Sequence, residues 1–570
     1  MILSQLYEYS QRQMELPPAM YKGTKVRWVI SLSTEGEFRD FIPRGGNSKA
    51  DKRGTEMTAP HILRTVGVKP KLLADTGEYV LGIARPNSKP QRVKDCHQQF
   101  KDLVQQCANS TEEPTIRAIV KFLDTWNPET DRGKLPKDFD PADVITFEVG
   151  DTLPADEKAE LHRIEEFWAD YTLGDSDKSM PIMTCLITGE RKPVVSTLPL
   201  LIKGLVGGQP SGTAMVSANA KPFTSYGLKS SLTSPISRDA AEGFAKALNH
   251  LIASPNFRLR IGSTTYVFWT RDQEDDFDAL SYLDDPDPEK VKSLLSSPFT
   301  GQQSFSVDEN QFYCLTLTAN NARAVVRDWL ETTVPEVKRN LCNWFEAQRI
   351  VAPDGEEFKS WGVYKLAASA YRDPAKEMLP AVPNALVKFA LSGDRLPHDL
   401  LARVLRRNRA EQKVTYARVA LIKLILTSQN KFARTEMETL NPNPDFPAIA
   451  DHTAYHCGRL LAELEAIQRT ALGKINATLT DRYYGAVSST PASAFPPLLS
   501  GAKRAHLPKL RKNRPGAYQA LEKRLEEIMS HLSELGFPKT LTLQQQGLFA
   551  IGYYHQKAAN RAAAQTNQAS

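Results

Sequence analysis

The run IKGLVGGQPSGTAMVSANAKPFTSYG, residues 202–227, combines five glycines with short hydroxyl and amide side chains. Glycine lacks a Cβ, so this backbone can approach a ligand closely and present its N–H groups, while serine, threonine and asparagine add short donors and acceptors. Such a surface suits a sugar, a phosphate or the edge of a nucleic-acid groove. The alternative is a turn-rich connection whose aromatic side chains pack inward, and composition alone leaves the two open.

A second candidate is the segment GAKRAHLPKLRKNRPG, residues 501–516, which carries six cations and no acidic residue. Such a density of like charge favours either a solvated loop or contact with backbone phosphates. Pro508 and Pro515 predict that the segment is open rather than helical. A further basic set lies on a predicted helix, where phosphate contact and a solvated face are equally good interpretations: Arg403, Arg406, Arg407, Arg409 and Lys413.

Residues that could catalyse a reaction are sparse. The sequence contains no HExxH, GxSxG or GxxxxGK[ST] pattern, and its six cysteines form no CxxC pair. The only close histidine pair is His452 and His456, beside Asp451. One pair favours ordinary packing and surface roles, and a metal-dependent nuclease or hydrolase is the alternative. This pattern does not exclude catalysis, but it favours no catalytic residue over a structural role, and we predict no metal or cofactor.

Length and charge set the scale of the protein. The chain has 570 residues, enough for several folding units, and a net charge of +6. From residue 431 onward, 17 Lys and Arg face 11 Asp and Glu, so the whole excess of positive charge lies in the last quarter. This asymmetry favours a nucleic-acid or acidic partner there. No apolar run is long enough to span a membrane and the first residues do not resemble a signal peptide, so we expect a cytoplasmic protein.

The elements that position these residues are predicted from periodicity. Short strands and basic loops are expected from Val26 to Gly82, helices over roughly 92–126 and 155–174, further strands near 145, 185 and 265, and a helix over 238–253. Residues 312–333 are predicted to form a strand leading into a helix. Beyond about residue 340 the pattern is helical, and the proline-containing stretch 430–451 is a predicted linker.

We therefore predict an α+β fold, with a mixed N-terminal α/β domain containing a helical insertion, followed by a C-terminal all-α helical bundle. The predicted ranges are 1–340 for the N-terminal domain, 341–430 for a helical connecting region and 431–570 for the bundle.

Several blocks of the sequence resemble the large subunit of the type I-C CRISPR-associated surveillance complex, Cascade. They are RTVGVKPKLLADTGEYVLG, residues 64–82, SPISRDAAEGFAKALNHLI, residues 234–252, and AYHCGRLLAELEAIQRTALG with FPKTLTLQQQGLFAIGYY near the C-terminus. The most specific block starts with CLITGE, residues 185–190, and continues through the glycine-rich run. The resemblance covers nearly the whole chain.

The resemblance implies a non-catalytic subunit that recognises the protospacer-adjacent motif (PAM) on double-stranded DNA, aids duplex opening and supports the displaced strand of the R-loop. Its implied partners are a guide CRISPR RNA, repeated backbone subunits, small subunits and a helicase-nuclease recruited in trans. The C-terminal bundle would resemble the small subunit, and Met437 is the expected internal start for a free copy. In this family the position of Ala218 is often aromatic and that of Pro210 is often a serine. If the aromatic residue contacts DNA, this chain has either lost that contact or moved it to Phe223 or Tyr226.

Three groups of site residues follow as hypotheses. The PAM candidates are Lys203, Gly207, Gly208, Gln209, Ser211, Ser217, Asn219, Lys221, Phe223 and Tyr226. The basic-loop candidates for DNA binding are Arg44, Lys49, Lys52 and Arg53. The displaced-strand candidates are Lys503, Arg504, Lys509, Arg511, Lys512, Arg514, Arg406 and Arg407. Besides the metal-dependent enzyme, a general RNA-binding scaffold is the remaining alternative.

Overall fold

The chain folds into two compact units, residues 1–253 with 319–325 and residues 254–318 with 326–570. The fold is α+β, as predicted. Within the described residues, no helix combines the length and the apolar character needed to cross a membrane. The computed structural model describes residues 1–14, 18, 20–45, 54–62, 64, 67–177, 181–218, 220–273, 278–296, 310–353, 359–428, 453–533 and 536–569.

The first unit contains a four-stranded sheet in the order β3-β2-β6-β5, in which β2 pairs parallel with β6 and antiparallel with β3. All five residues of β2 are buried, as expected for a strand covered on both faces. The strands β1 and β4 form a separate antiparallel ribbon, and β7 with β8 forms another. The strands of this unit are β1 Tyr21–Val26, β2 Trp28–Leu32, β3 Phe38–Pro43, β4 Thr55–Pro60, β5 Ala74–Thr76, β6 Val144–Val149, β7 Ile182–Thr184 and β8 Arg191–Pro193.

Helices of the first unit cover this sheet. The helix α3 begins at a proline, which is favoured at the first helical position, and buries apolar residues every three or four positions. The rings of Phe100 on α3 and Phe122 on α4 both pack against Phe147 of β6. The helices are α1 Ile2–Gln13, α2 Gly77–Val80, α3 Pro90–Thr111, α4 Pro114–Thr125, α5 His162–Asp177 and α6 Arg238–Ala253. The predicted helical insertion is thus present.

The second unit contains most of an antiparallel sheet in the order β12-β11-β10-β9, and the tip of its β11–β12 hairpin, residues 319–325, belongs to the first unit. The prediction of a helix after residue 322 is wrong, because β11 and β12 form a hairpin. Asn321 adopts a left-handed conformation, with φ of 51°, in the two-residue turn, and the β-branched and aromatic residues that follow favour a strand. The strands are β9 Arg258–Ile261, β10 Thr264–Thr270, β11 Gln311–Asn320 and β12 Arg323–Thr333.

Helices make up the rest of the second unit. Of these, α14 is buried on nearly all sides, which is typical of a central core helix. The helices are α7 Ala279–Leu283, α8 Pro288–Ser296, α9 Val334–Gln348, α10 Val363–Ser369, α11 Pro374–Glu377, α12 Ala381–Ser392, α13 His398–Glu411, α14 Tyr416–Ser428, α15 Thr453–Leu472, α16 Leu479–Val487, α17 Pro491–Gly501, α18 Leu507–Asn513, α19 Pro515–Ser533 and α20 Leu543–Ala569.

The helices before and after the predicted linker share one hydrophobic core. The ring of Tyr416 on α14 stacks on that of Tyr554 on α20, with centroids 6.1 Å apart. The predicted connecting region and the predicted bundle are therefore packed together. The division into three functional domains stays a prediction, and Met437 lies outside the described residues.

Two glycines allow α15 and α20 to approach each other closely. A Cβ on Gly458 of α15 would overlap the carbonyl oxygen of Phe549, and a Cβ on Gly552 of α20 would overlap that of Tyr455. Because the clashing atoms belong to backbone, a side chain at either position requires the helices to separate.

We expect Gly458→Ala to destabilise the protein by about 1–3 kcal/mol, because it forces backbone apart in a packed core. The control is Gly485→Ala on α16, where a Cβ meets nothing within 4 Å. That substitution should be neutral or should stabilise the protein by about 0.5–1 kcal/mol, since alanine is the better helix former. Denaturant unfolding measures both. Equal stability changes for the two variants would contradict the close helix contact.

Candidate nucleic-acid interface

The base of the glycine-rich run is fixed by backbone pairing. Ile202 and Thr213 exchange two hydrogen bonds, of 2.8 and 2.7 Å, which close the loop between them. On α6, the side chain of Asn249 accepts a hydrogen bond from the backbone N–H of Lys203 at 2.7 Å and donates one to the carbonyl of Leu201 at 3.0 Å. The base of the loop is thus anchored to a helix, and a surface for ligand recognition requires rigid support of this kind.

The glycines of the loop have different roles. A Cβ on Gly212, where φ is 116°, would lie 2.7 Å from the Cβ of Leu201, and one on Gly208 would lie 2.8 Å from Cγ2 of Thr213. The packing of the loop itself therefore requires both glycines. At Gly207, where φ is 79°, the nearest heavy atom is the carbonyl oxygen of Ala319, at 4.0 Å. Gly207 therefore leaves open space in which a ligand could approach the backbone, as does Gly227 at the end of the run, where a Cβ would meet nothing within 4 Å.

The loop lies along the tip of the hairpin formed by β11 and β12. The backbone N–H of Gln209 donates to the carbonyl of Asn321 at 3.2 Å, and that of Ala214 donates to Ala322 at 2.8 Å. A hydrogen bond of 3.0 Å from Ala324 back to Ala214 completes the pairing. The run is thus a strand-like addition to the hairpin tip, which the sequence did not predict.

An exposed edge follows, in which every residue from 220 to 227 is exposed. A short 3₁₀ turn, Lys221–Phe223, places the half-exposed ring of Phe223 beneath the guanidinium of Arg323, 4.5 Å from the ring centroid. Tyr226 has a positive φ of 52° and is 99% exposed. The alternative in which the aromatic residues of this run pack inward is therefore wrong for Tyr226, which projects from the edge.

The other residues of the run that are predicted to contact DNA differ in their exposure to solvent. Ser217 is partly buried, Ala218 is buried at 9% exposure, and Asn219 lies outside the described residues. The exposed side chains near the base of the loop are Lys203, Gln209 and Ser211. The structure thus places Lys203, Gln209, Ser211, Lys221, Phe223 and Tyr226 on the surface of one loop.

The predicted basic loop is described only at Arg44. Its guanidinium contacts Sδ of Met57 on β4 at 3.6 Å, and its carbonyl accepts a hydrogen bond from Arg27. In the described part of the chain, no hydrogen bond or ion pair joins Arg44 to the glycine-rich run. Lys49, Lys52 and Arg53 lie outside the described residues.

The basic segment 501–516 is helical, so the prediction of an open segment is wrong. A π-helical turn, Ala502–His506, joins α17 to α18 directly before Pro508. Proline provides no N–H and clashes with the carbonyl four residues earlier, and a wider turn accommodates both effects. Ala502, Leu507 and Leu510 face the core.

All six cations of this segment are exposed. No ion pair to a described carboxylate neutralises them. They are Lys503, Arg504, Lys509, Arg511, Lys512 and Arg514. This surface, here called the basic helix, is therefore available to phosphates. On α13, by contrast, Arg406 is exposed while Arg407 pairs with Glu411, which also binds Arg418. Arg407 is thus already neutralised.

The candidate metal residues are not assembled in the described part of the chain. Asp451 and His452 lie outside it, and no group of three or more His, Cys, Asp or Glu side chains there could hold a metal ion. His456 is buried and its ring stacks on that of His531, with centroids 4.4 Å apart. This stacking gives His456 a packing role between α15 and α19.

Comparison with known proteins gives one family match. A family model described as CRISPR-associated protein (Cas_Csd1) matches residues 3–560. A search of curated proteins found no match.

Proposed function

Since the chain belongs to the Cas_Csd1 family of CRISPR-associated proteins, we propose that it is the non-catalytic large subunit of a type I-C guide-RNA surveillance complex. In this role it recognises the PAM on double-stranded DNA. It then aids duplex opening, stabilises the R-loop and recruits a separate helicase-nuclease. Its proposed partners are the guide CRISPR RNA, repeated backbone subunits, small subunits and the target DNA.

The observation that best supports PAM recognition is the exposed edge, residues 220–227. A left-handed conformation is uncommon for a bulky residue such as the fully exposed Tyr226, and strain of this kind concentrates at functional sites. An aromatic side chain projecting from a loop can insert between base steps, while Lys221 and Arg323 supply positive charge for the flanking phosphates. The edge therefore has the chemistry of a minor-groove contact.

The basic helix supports the proposed stabilisation of the displaced strand in the R-loop. Six exposed cations that form no ion pair with a described carboxylate repel one another and attract a phosphate backbone. A displaced single strand would lie along this surface, with Arg406 as a further cation. Arg407 contributes less, because Glu411 already pairs with it.

Co-purification tests the assignment of the complex. We expect the chain, expressed with its CRISPR locus, to be isolated with RNA of one uniform length that contains repeat sequence. A general RNA-binding scaffold would instead retain RNA of mixed length. We further expect the purified chain to contain no stoichiometric metal and to cut no DNA in the absence of a helicase-nuclease. Metal-dependent cleavage by the chain alone would contradict the non-catalytic role.

A further inference from the structure

Five basic side chains meet in the first unit, from segments far apart in the sequence. We call them the basic cluster: Lys22, His61, Arg64, Lys71 and Lys203. Lys22 lies near the start of β1 and pairs with Ala59 of β4, while the backbone N–H of His61 bonds the carbonyl of Met20 at 2.6 Å. This pairing brings Lys22 and His61 to the same end of the ribbon.

A single buried carboxylate organises part of the cluster. Asp75 on β5 is 1% exposed, pairs with the guanidinium of Arg64 and accepts the backbone N–H of Lys71 at 2.8 Å. Arg64 also lies over the ring of Tyr79, 4.0 Å from its centroid. The charge of Arg64 is thus neutralised, and Asp75 fixes the backbone that carries Lys71.

The three lysines of the cluster are less well compensated, although the charge of Asp75 also acts on Lys71. The ammonium groups of Lys22 and Lys203 lie against each other, and no ion pair to a described carboxylate neutralises Lys22, Lys71 or Lys203. Burial, followed by the charges of Lys203 and Lys71, lowers the pKa of Lys22 to about 8. Burial and the same group of cations lower the pKa of His61 to about 3, so its imidazole is neutral. Burial also lowers the pKa of Lys71, against the opposing charge of Asp75.

We propose that Lys22, Lys71 and Lys203 together bind one phosphodiester group of a nucleic-acid backbone. Lys203 is exposed and the other two lysines are half-buried, so an entering phosphate meets Lys203 first. A bound anion replaces the repulsion among three ammonium groups with attraction. The inference rests on the proposed function, because Lys203 begins the glycine-rich run. The phosphate comes from the target duplex or from the guide RNA, which share this chemistry.

The test compares Lys22→Ala with Lys25→Ala in the full-length chain. Lys25 lies on the same strand, is exposed and stands opposite Glu56. The control substitution therefore removes one positive charge, as Lys22→Ala does, but outside the cluster. Binding is measured over a range of salt concentrations with a PAM-containing duplex, a PAM-lacking duplex and RNA of the repeat sequence. We expect Lys22→Ala to reduce the salt slope by about one unit, equally on both duplexes, while Lys25→Ala leaves it unchanged.

Two further readouts separate charge from folding. Lys22→Arg should restore binding, because it keeps the cation. In the wild type, the affinity contributed by Lys22 should be fully present below pH 8 and lost as the pH rises above it, since the protonated amine binds the anion and binding raises its pKa. Lys22→Ala should remove this pH-dependent loss of affinity. The pH at which the loss occurs also depends on the charged groups around Lys22, which are Lys71, Lys203, Arg64 and Asp75.

The possible results distinguish failure of the phosphate site from failure of the proposed function. A loss confined to RNA assigns the phosphate to the guide, and a loss confined to DNA assigns it to the target. An unchanged salt slope on all three ligands overturns the phosphate site, and PAM preference in the wild type then still stands. A reduced slope in a protein that shows no PAM preference supports the phosphate site and contradicts the proposed function.

Discussion

Replacing Tyr226 with alanine is expected to lower the affinity of the assembled complex for a PAM-containing duplex about tenfold. The side chain is 99% exposed and makes no core contact that its removal would break. Stacking of an aromatic ring on a base contributes about 1–3 kcal/mol, and about 1.4 kcal/mol corresponds to tenfold in affinity. Binding to a PAM-lacking duplex should change little, so the ratio of the two affinities falls.

The control for this variant is Tyr483→Ala, which removes another exposed tyrosine, on α16. Both variants should keep the thermal unfolding temperature of the wild type. If Tyr226→Ala left the affinities for the two duplexes unchanged, Tyr226 would have no part in PAM recognition.

The combined change of Lys509, Arg511 and Lys512 to alanine is expected to weaken single-stranded DNA binding about a hundredfold at 0.1 M salt. Each lost phosphate contact on a single strand lowers the salt slope by about 0.7, so three contacts lower it by about two units. All three side chains are exposed, and none of them packs in the core. Titration of labelled single-stranded DNA at several salt concentrations measures the slope.

A matched triple variant controls for net charge. Lys474, Arg482 and Lys523 are exposed cations of the same unit but lie outside the basic helix. Changing them to alanine removes the same charge and should lower the slope by much less than two units. Equal slopes for the two triple variants would show that the effect comes from net charge rather than from a binding surface.

Local patterns in the sequence predicted most of the elements but not two of them. Amphipathic periodicity identified α3, α4 and α6, and the strands of the first unit followed from β-branched runs. The pattern of β12 also fits a helix, because short apolar runs fit either period and an asparagine such as Asn321 does not by itself mark a turn. The segment around Pro508 was predicted to be open, because a single π-turn that accommodates proline has no pattern of its own.

The sequence predicts that the candidate site is a loop, but it does not predict which residues of other segments join the loop to form the surface. Glycine content indicated close backbone approach, whereas the structure shows that Gly208 and Gly212 serve the packing of the loop. Arg323 joins Phe223 only because the hairpin tip pairs with the run, and the basic cluster forms only when four segments meet. Contacts of this kind depend on tertiary packing, which residue spacing along the chain does not encode.

PAM preference of the complex with and without this chain tests the central claim most directly. The guide-RNA complex is assembled with the chain present or omitted, and its affinity is measured for duplexes that differ only in the sequence flanking the target. We predict a preference of tenfold or more for one flanking sequence when the chain is present, on the order of one or two base-pair contacts. When the chain is omitted, the preference should disappear. The same preference in both preparations would contradict PAM recognition by this protein.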